Sequence, residues 1–327
     1  MDVQGFKNFQ EVGQSVLKFL HARFGFDLWM ITRVDDKDWI VLQSEDYAYG
    51  VKPSHVFCWE GSFCTHMVKG KAPCIAPRSE EIPLYANAPI AQQVPIKAYI
   101  GQPLYHEDGS IFGTICAVAS QPQPKSLLDE APLIEQMAAL LNYILQAELR
   151  ASAQLRQVER LQVEALTDHL TSLVNRRGWD HVIDAEEARC KLYGHPIAVI
   201  IIDLNDLKIL NDREGHAAGD QLIRSTANIL KHIIPTEYLV ARLGGDEFGV
   251  LCTETHHDEA EQLVQTILST LEHEKISAAV GWAMRDPSKG LSEATIQADL
   301  NMYRNKRQRS QQSRFNPESI NISSSSI

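Results

Sequence analysis

The chain has 327 residues, 44% of them hydrophobic and 22% charged, a globular composition with enough length for two domains that each bury a core. A formal net charge of −11 argues against broad binding to nucleic acid or to anionic membrane surfaces, and leaves room for a local basic pocket that takes a nucleotide. No apolar run approaches the roughly 20 residues that span a bilayer, and MDVQGFKNFQ has no basic leader ahead of an apolar stretch; the six cysteines (58, 64, 74, 116, 190, 252) form no Cys-x-x-Cys pair, so a cytoplasmic protein without membrane anchor, zinc ribbon or disulfide framework is expected.

From the N-terminus, Phe9, Val12, Val16, Phe19, Leu20 and Phe24 recur at helical spacing and predict an amphipathic helix over 6–24. Leu28 to Arg33 and Trp39 to Leu42 read as strands around the polar turn Asp35-Asp36-Lys37-Asp38. Cys64, His66 and Cys74 lie close in sequence, where a thiolate beside an imidazole suits a metal or an attached chromophore, and where free cysteines otherwise pack as small apolar side chains. The stretch 78–95, punctuated by Pro83, Pro89 and Pro95, reads as a loop that either covers a ligand pocket or packs. Ala98 to Leu104 and Ile111 to Ala119 form a hairpin around an Asp-Gly turn.

The run YIGQPLYHEDGSIFGTICAVAS resembles the closing hairpin of a GAF domain, a sensory fold with a central antiparallel sheet. The resemblance implies a sensor over 1–124 with room for an unidentified small-molecule ligand. Bilin-binding members carry Cys directly followed by His, whereas Thr65 intervenes here. Pro122 and Pro124 close this domain. Positions 133, 137, 140, 144, 147, 151, 154, 158, 161 and 165 then step by four and three, with only Gln154 polar, which predicts a parallel coiled coil and a homodimer across a linker at 125–166. The competing arrangement is one long helix packed on its own first domain.

In the second half, Ile197 to Ile202 is a continuous β-branched run, the mark of a strand buried on both faces, and Asp203 ends it. Leu239 to Cys252 reads strand, turn, strand, with Gly244 and Gly245 expected to supply positive φ and Asp246 and Glu247 at the tip. Adjacent carboxylates on a short turn repel unless a cation sits with them, so Asp203 and Asp246 are candidates to share a divalent metal, against the simpler reading of a solvated turn.

After Asp203 come Lys208, Asn211, Asp212, Gly215, His216, Gly219 and Asp220 in the order KILNDREGHAAGD. Here the sequence resembles the GGDEF family of diguanylate cyclases. The resemblance runs from Asp168-His169-Leu170-Thr171-Ser172-Leu173-Val174-Asn175-Arg176-Arg177 to Ala298-Asp299-Leu300-Asn301-Met302-Tyr303-Arg304-Asn305-Lys306, and it implies a cyclase domain over 167–310. With the first half, it implies an α+β protein of two domains, GAF-like then nucleotide-cyclase-like, each a mainly antiparallel sheet flanked by helices, joined by a long helix. It implies GTP as substrate, Mg (or Mn) as cofactor, and cyclic di-GMP and pyrophosphate as products, each active site completed by a second copy.

Carried onto this sequence, the family pattern makes Asp203, the Leu204 carbonyl and Asp246 metal ligands. Glu247 becomes a ligand or proton acceptor, Lys208 and Lys306 phosphate contacts, and Gly244 and Gly245 part of the GTP site. Asn211 and Asp220 become the guanine readers. A carboxylate accepts from both the ring N–H and the exocyclic amine of guanine, a donor pair that adenine lacks. Asp220 is also a candidate N-cap of a helix over 222–234, while Asp212 and Arg242 are expected to support the fold.

Two departures stand out. Arg309 and Ser310 replace the usual Gly-Arg after Lys306, with Arg307 or Arg309 as substitutes, and Pro235-Thr236-Glu237-Tyr238 stands where many members carry Arg-x-x-Asp, so no product feedback is expected there. The alternative function is a silent receptor or scaffold for GTP or cyclic di-GMP. The Ser-, Gln- and Asn-rich end, 311–327, is expected to be a disordered tail.

Overall fold

The computed structural model describes residues 5–162 and 166–315. The chain divides into two compact units, one of 1–159 with 188–194 and one of 160–187 with 195–327. Both are α+β, as expected from the sequence, with mainly antiparallel sheets. No helix among the described residues is long and apolar enough to cross a membrane.

In the first unit, helix α1 (Phe9–Phe24) starts at Asn8, whose side chain accepts from the Glu11 amide, and stops at Gly25, whose φ of 66° only glycine adopts at little cost. Strands β1 (Leu28–Asp35) and β2 (Asp38–Asp46) form the expected hairpin, each longer than its apolar run. Then come β3 (Val56–Cys58), α2 (Phe63–Val68), β4 (Ile75–Ala76), α3 (Pro83–Ala86), β5 (Ala98–Tyr105), β6 (Ile111–Ala119) and α4 (Ala131–Gln162). The sheet order is β3-β2-β1-β6-β5-β4, all antiparallel. Alternation sorts the side chains: Trp29, Ile31, Ile115 and Ala117 enter one core with α1 and α4, while Leu28, Met30, Cys116 and Val118 enter a second core on the opposite face.

The proline-rich stretch is three short helical turns, 79–81, 83–86 and 89–92, two of which open on proline because its missing N–H is unneeded at a helix start. Helix α4 buries Ile134, Ala138, Leu141 and Leu145 in the first core, each at most 5% exposed. The expected seam lies one residue behind: Leu133, Met137 and Ile144 are half-buried, and Leu140, Ala147, Ala151, Gln154 and Val158 are exposed. Positions 161 and 165 lie outside the described side chains.

The second unit runs β7 (Val174–Asn175), α5 (Arg176–Tyr193, its last turn counted with the first unit), β8 (Ile197–Leu204), α6 (Leu207–Glu214), α7 (His216–Ile233), β9 (Leu239–Gly244), β10 (Glu247–Thr253), α8 (His257–His273), β11 (Ala278–Met284) and α9 (Leu291–Phe315). Its sheet order is β11-β8-β10-β9-β7, with only β7 parallel to its neighbour. All eight residues of β8 are buried, so Asp203 sits inside the strand rather than past its end. Helices α7 and α8 cover one face through Ile223, Ala227, Leu230, Val264, Ile267 and Leu271.

Helix α9 lies on β11 and β8 at the closest approach in the unit: a Cβ on Gly281 would fall 1.9 Å from the Met302 amide nitrogen and 2.3 Å from the Ala298 oxygen. Only glycine lets that helix backbone rest on that strand. The helix continues past Ser310 into the segment expected to be a tail, the remainder of which lies outside the described residues.

Candidate functional site

The site grows from the register of the second sheet. Pairing of β8 with β10 sets Asp203 directly opposite Glu247, and pairing with β11 sets Ala279 on its other side. The hairpin tip Gly245-Asp246 is stitched to β8 by the Leu204 amide, which donates to the Asp246 carbonyl at 3.0 Å. Asp203 and Glu247 therefore sit side by side at one end of neighbouring interior strands, next to Asp246 at the hairpin tip.

The glycines work differently from expectation. Neither Gly244 nor Gly245 takes a positive φ. A side chain holds the bend instead: Arg242 donates to the Gly245 carbonyl through Nε (3.2 Å) and Nη2 (2.8 Å), and pairs with Asp168 at 3.1 Å through Nη1. Asp168 in turn accepts from the Thr171 amide and hydroxyl, which with Arg242 outweigh burial and hold its carboxyl below the usual range. What the glycines provide is space. A Cβ on Gly245 would meet nothing within 4 Å, and one on Gly244 only Glu247 Oε2 at 3.9 Å.

The electrostatics of the acids are those of a crowded negative site. Burial raises the Asp203 carboxyl above its ordinary value, Lys306 opposes that rise, and Asp246 and Asp299 add to it. Burial likewise raises Glu247, reinforced by Asp203, Asp246 and Asp299 and opposed by Arg176. Lys306, from α9, donates to Asp203 Oδ1 at 2.5 Å. Asp299 and Arg176 were quoted in the sequence only as parts of motifs; their place beside the acids becomes visible once α9 and α5 pack on the sheet.

Among the described residues no three His, Cys, Asp or Glu side chains form a ready-made metal cage. The donor set still fits a hard divalent cation, because Mg²⁺ is held by one or two carboxylates together with substrate phosphates rather than by a full protein cage. The Lys306 ammonium on Asp203 shows that the position accepts positive charge.

A second cluster lies at the α6–α7 corner, where Gly215 turns the chain at φ 84°. Asn211, on α6, has a buried Oδ1 with no hydrogen-bond partner. It lies over Gly219, where a Cβ would come within 2.0 Å of that oxygen. Asp220 follows on α7, exposed; the helix begins at His216, so Asp220 is not its cap, because Gly215 lets the helix start earlier than the apolar run. Lys208 is exposed near the start of α6. Pro235-Thr236-Glu237-Tyr238 forms the turn into β9, and the Tyr238 hydroxyl accepts from Thr255 at 2.9 Å. Arg307 lies over the Tyr303 ring at 6.0 Å, while the side chains of Arg309 and Ser310 lie outside the described residues.

In the first unit, Cys64, His66 and Cys74 do not combine as a ligand set: Cys64 turns into the core against Tyr99, Cys74 is half-buried, and His66 lies in the last turn of α2. The stretch containing Ile90, Gln93, Val94 and Ile96 does wall a cavity, with Cys64, Tyr99 and Cys116 on its inner side.

Residues 165–312 match the sequence-family model described as diguanylate cyclase, GGDEF domain, and residues 8–145 match the GAF domain model. Diguanylate cyclase DgcP of Escherichia coli (strain K12) is 27% identical over 261 residues, covering 76% of this chain and 75% of DgcP. Diguanylate cyclase DosC of the same organism is 35% identical over 114 residues, 35% of this chain and 25% of DosC. Among solved structures, the GGDEF domain of DgcB from Caulobacter crescentus in complex with c-di-GMP aligns with 27% identity and a TM-score of 0.42, covering 44% of this chain and 91% of that one.

Proposed function

We propose that this chain, which carries a GGDEF domain behind a GAF domain, condenses two molecules of GTP into cyclic di-GMP with release of two pyrophosphates. The observation that carries the reading is the facing pair of buried Asp203 and half-buried Glu247, beside Asp246 and countered by Lys306. Asp203, the Leu204 carbonyl and Asp246 would hold a divalent cation, Mg²⁺ or Mn²⁺, which when bound neutralises phosphate charge and lowers the pKa of the attacking 3′-hydroxyl.

The remaining steps belong to the chain's own residues. Asn211, through its unpartnered Oδ1, and Asp220 accept from the guanine edge, which selects GTP over ATP because adenine lacks the adjacent ring N–H and amine donors and leaves Asp220 unpaired. Lys306 and Lys208 contact the triphosphate as point charges. The open space in front of Gly244 and Gly245 takes phosphate oxygens against bare backbone. Glu247, its proton affinity raised, accepts the proton of the attacking hydroxyl.

Each domain binds one nucleotide, so two copies must meet, and the uncovered apolar stripe of α4 through Leu140 and Val158 is the surface by which they pair. The first unit sets the output through that pairing. The test is chromatography of the full chain with GTP and Mg²⁺. Cyclic di-GMP should form, and Asp246→Ala should abolish it with the circular dichroism spectrum unchanged. Turnover retained in Asp246→Ala overturns the ligand assignment, and GTP binding without product in the unmodified chain would make it a receptor.

A further inference from the structure

The cavity of the first unit ends on two thiols that the cyclase chemistry does not use. The first turn of α2, capped by Ser62, turns Cys64 toward the sheet, and alternation along β6 turns Cys116 and Thr114 to the same face. Both cysteines are 0% exposed to bulk solvent, yet both line the cavity, which has room of about 200 Å³. Its walls include Met30, Trp39, Phe57, Phe63 and Tyr99, and among the described residues His55 is the one lining side chain that can carry positive charge. A small uncharged reagent suits a space walled mostly by apolar side chains.

A buried cysteine that only packs needs no hydrogen bonds and is inert. Cys64 has several donors. The Tyr99 hydroxyl donates to its sulfur at 3.2 Å, and the Thr114 hydroxyl lies 3.5 Å from Cys64 Sγ and 3.8 Å from Cys116 Sγ. The Thr114 hydroxyl thus lies between the two sulfurs, and both cysteines line the same cavity. Burial pushes Cys64 up, but the bonds from Cys116, Tyr99 and Thr114 outweigh it and bring the thiol down. Cys116 is pushed well up by burial and by Cys64. Cys64 therefore holds two hydroxyl donors that favour its thiolate, whereas Cys116 shares only Thr114.

We propose that Cys64 and Cys116 form a peroxide-reactive dithiol on the inner wall of this cavity, with a small uncharged hydroperoxide as the co-reactant. With hydrogen peroxide, the Cys64 sulfur takes one oxygen: an S–O bond forms, the O–O bond breaks, and the departing hydroxide leaves as water with the Cys64 proton. The Cys116 sulfur then attacks Cys64: an S–S bond forms, the S–O bond breaks, and the second hydroxide leaves as water with the Cys116 proton. Two thiols lose two electrons to one peroxide, giving one disulfide and two waters.

The test uses the full chain with the exposed Cys58 and half-buried Cys74 replaced by serine, leaving the buried Cys190 and Cys252 as internal controls. After stoichiometric hydrogen peroxide, the protein is denatured and alkylated, and its peptides are mapped by mass spectrometry. The expected result is a dithiothreitol-reversible Cys64–Cys116 cross-link with both controls still alkylated, and no cross-link in Cys64→Ser or Cys116→Ser. Equal oxidation of all four cysteines, or none at 64 and 116, overturns the proposal. Tyr99→Phe keeps the ring and removes the donor, so Cys64 should oxidise measurably more slowly than in the parent. An unchanged rate in a variant with the parent circular dichroism spectrum refutes the role of Tyr99.

Discussion

Replacing Lys306 with methionine keeps most of the apolar stem and removes the ammonium that contacts Asp203 at 2.5 Å. Two unit charges about 4 Å apart attract by about 4 kcal/mol at an effective dielectric of about 20. The lysine side chain is 35% exposed, so solvent and the entropy of holding it reduce the net loss to about 1–2 kcal/mol. For a domain of this size that is a fall of about 3–6 °C in the melting temperature of the second unit near neutral pH in metal-free buffer.

The deficit depends on pH in a defined direction. Asp203 and Glu247 hold their protons more tightly folded than at their ordinary values of 3.8 and 4.5. The stability they contribute is fully present below those values and is lost as pH climbs through the raised, folded ones. Lys306 opposes that rise at Asp203, so its removal carries the loss to higher pH and widens the range over which stability falls. Calorimetry across that range should show the variant approaching the parent as Asp203 takes up its proton, and millimolar Mg²⁺ should restore it at neutral pH. A variant that melts with the parent in metal-free buffer at neutral pH, or a deficit independent of pH, would refute the reasoning.

Gly219→Ala drives a methyl into the space of the Asn211 Oδ1, where the contact would be 2.0 Å; the amide must swing away, and GTP affinity by calorimetric titration should fall about tenfold, with at most about 1–3 kcal/mol of unfolding free energy lost in urea. Arg242→Ala frees the Gly245 carbonyl and unpairs Asp168; kcat should drop about tenfold with KM little changed if the bend positions reacting groups rather than binding nucleotide. On α4, Leu141→Ala should cost about 2–4 kcal/mol in chemical denaturation because Leu141 is 1% exposed. Leu140→Ala, at a position 48% exposed, should leave that stability near the parent and weaken self-association in sedimentation.

Strands β5 and β6 and the hairpin of β9 and β10 were legible because their apolar runs are bounded by turn residues, and α1 because its apolar spacing and caps agree. Helix α4 was legible as a helix but not as to which side it buries. Leu133 and Ile134, Met137 and Ala138, Leu140 and Leu141, and Ile144 and Leu145 are adjacent apolar pairs, so two stripes satisfy the same spacing and only packing against the sheet selects between them. The bend at Gly245 was misread for a related reason: its geometry is fixed by Arg242 and by an amide of β8, contacts that no local turn rule contains. Asp203, Asp246, Glu247, Asn211 and Lys306 could be picked out by type and motif, while Asp299 and Arg176 joined the site only through the packing of helices far apart in sequence.

Where the backbone of α9 rests on Gly281 there is no side chain left to repack, so the spacing of that joint is set by hard-core contact rather than by a compressible layer. Asp299 and Lys306 ride on the helix side of the joint, and Asp203 on the strand next to its other side. Their spacing has almost no tolerance, which suits groups that must meet a developing charge without reorganising. Asn211 and Asp220, by contrast, stand on two helices joined at the Gly215 corner.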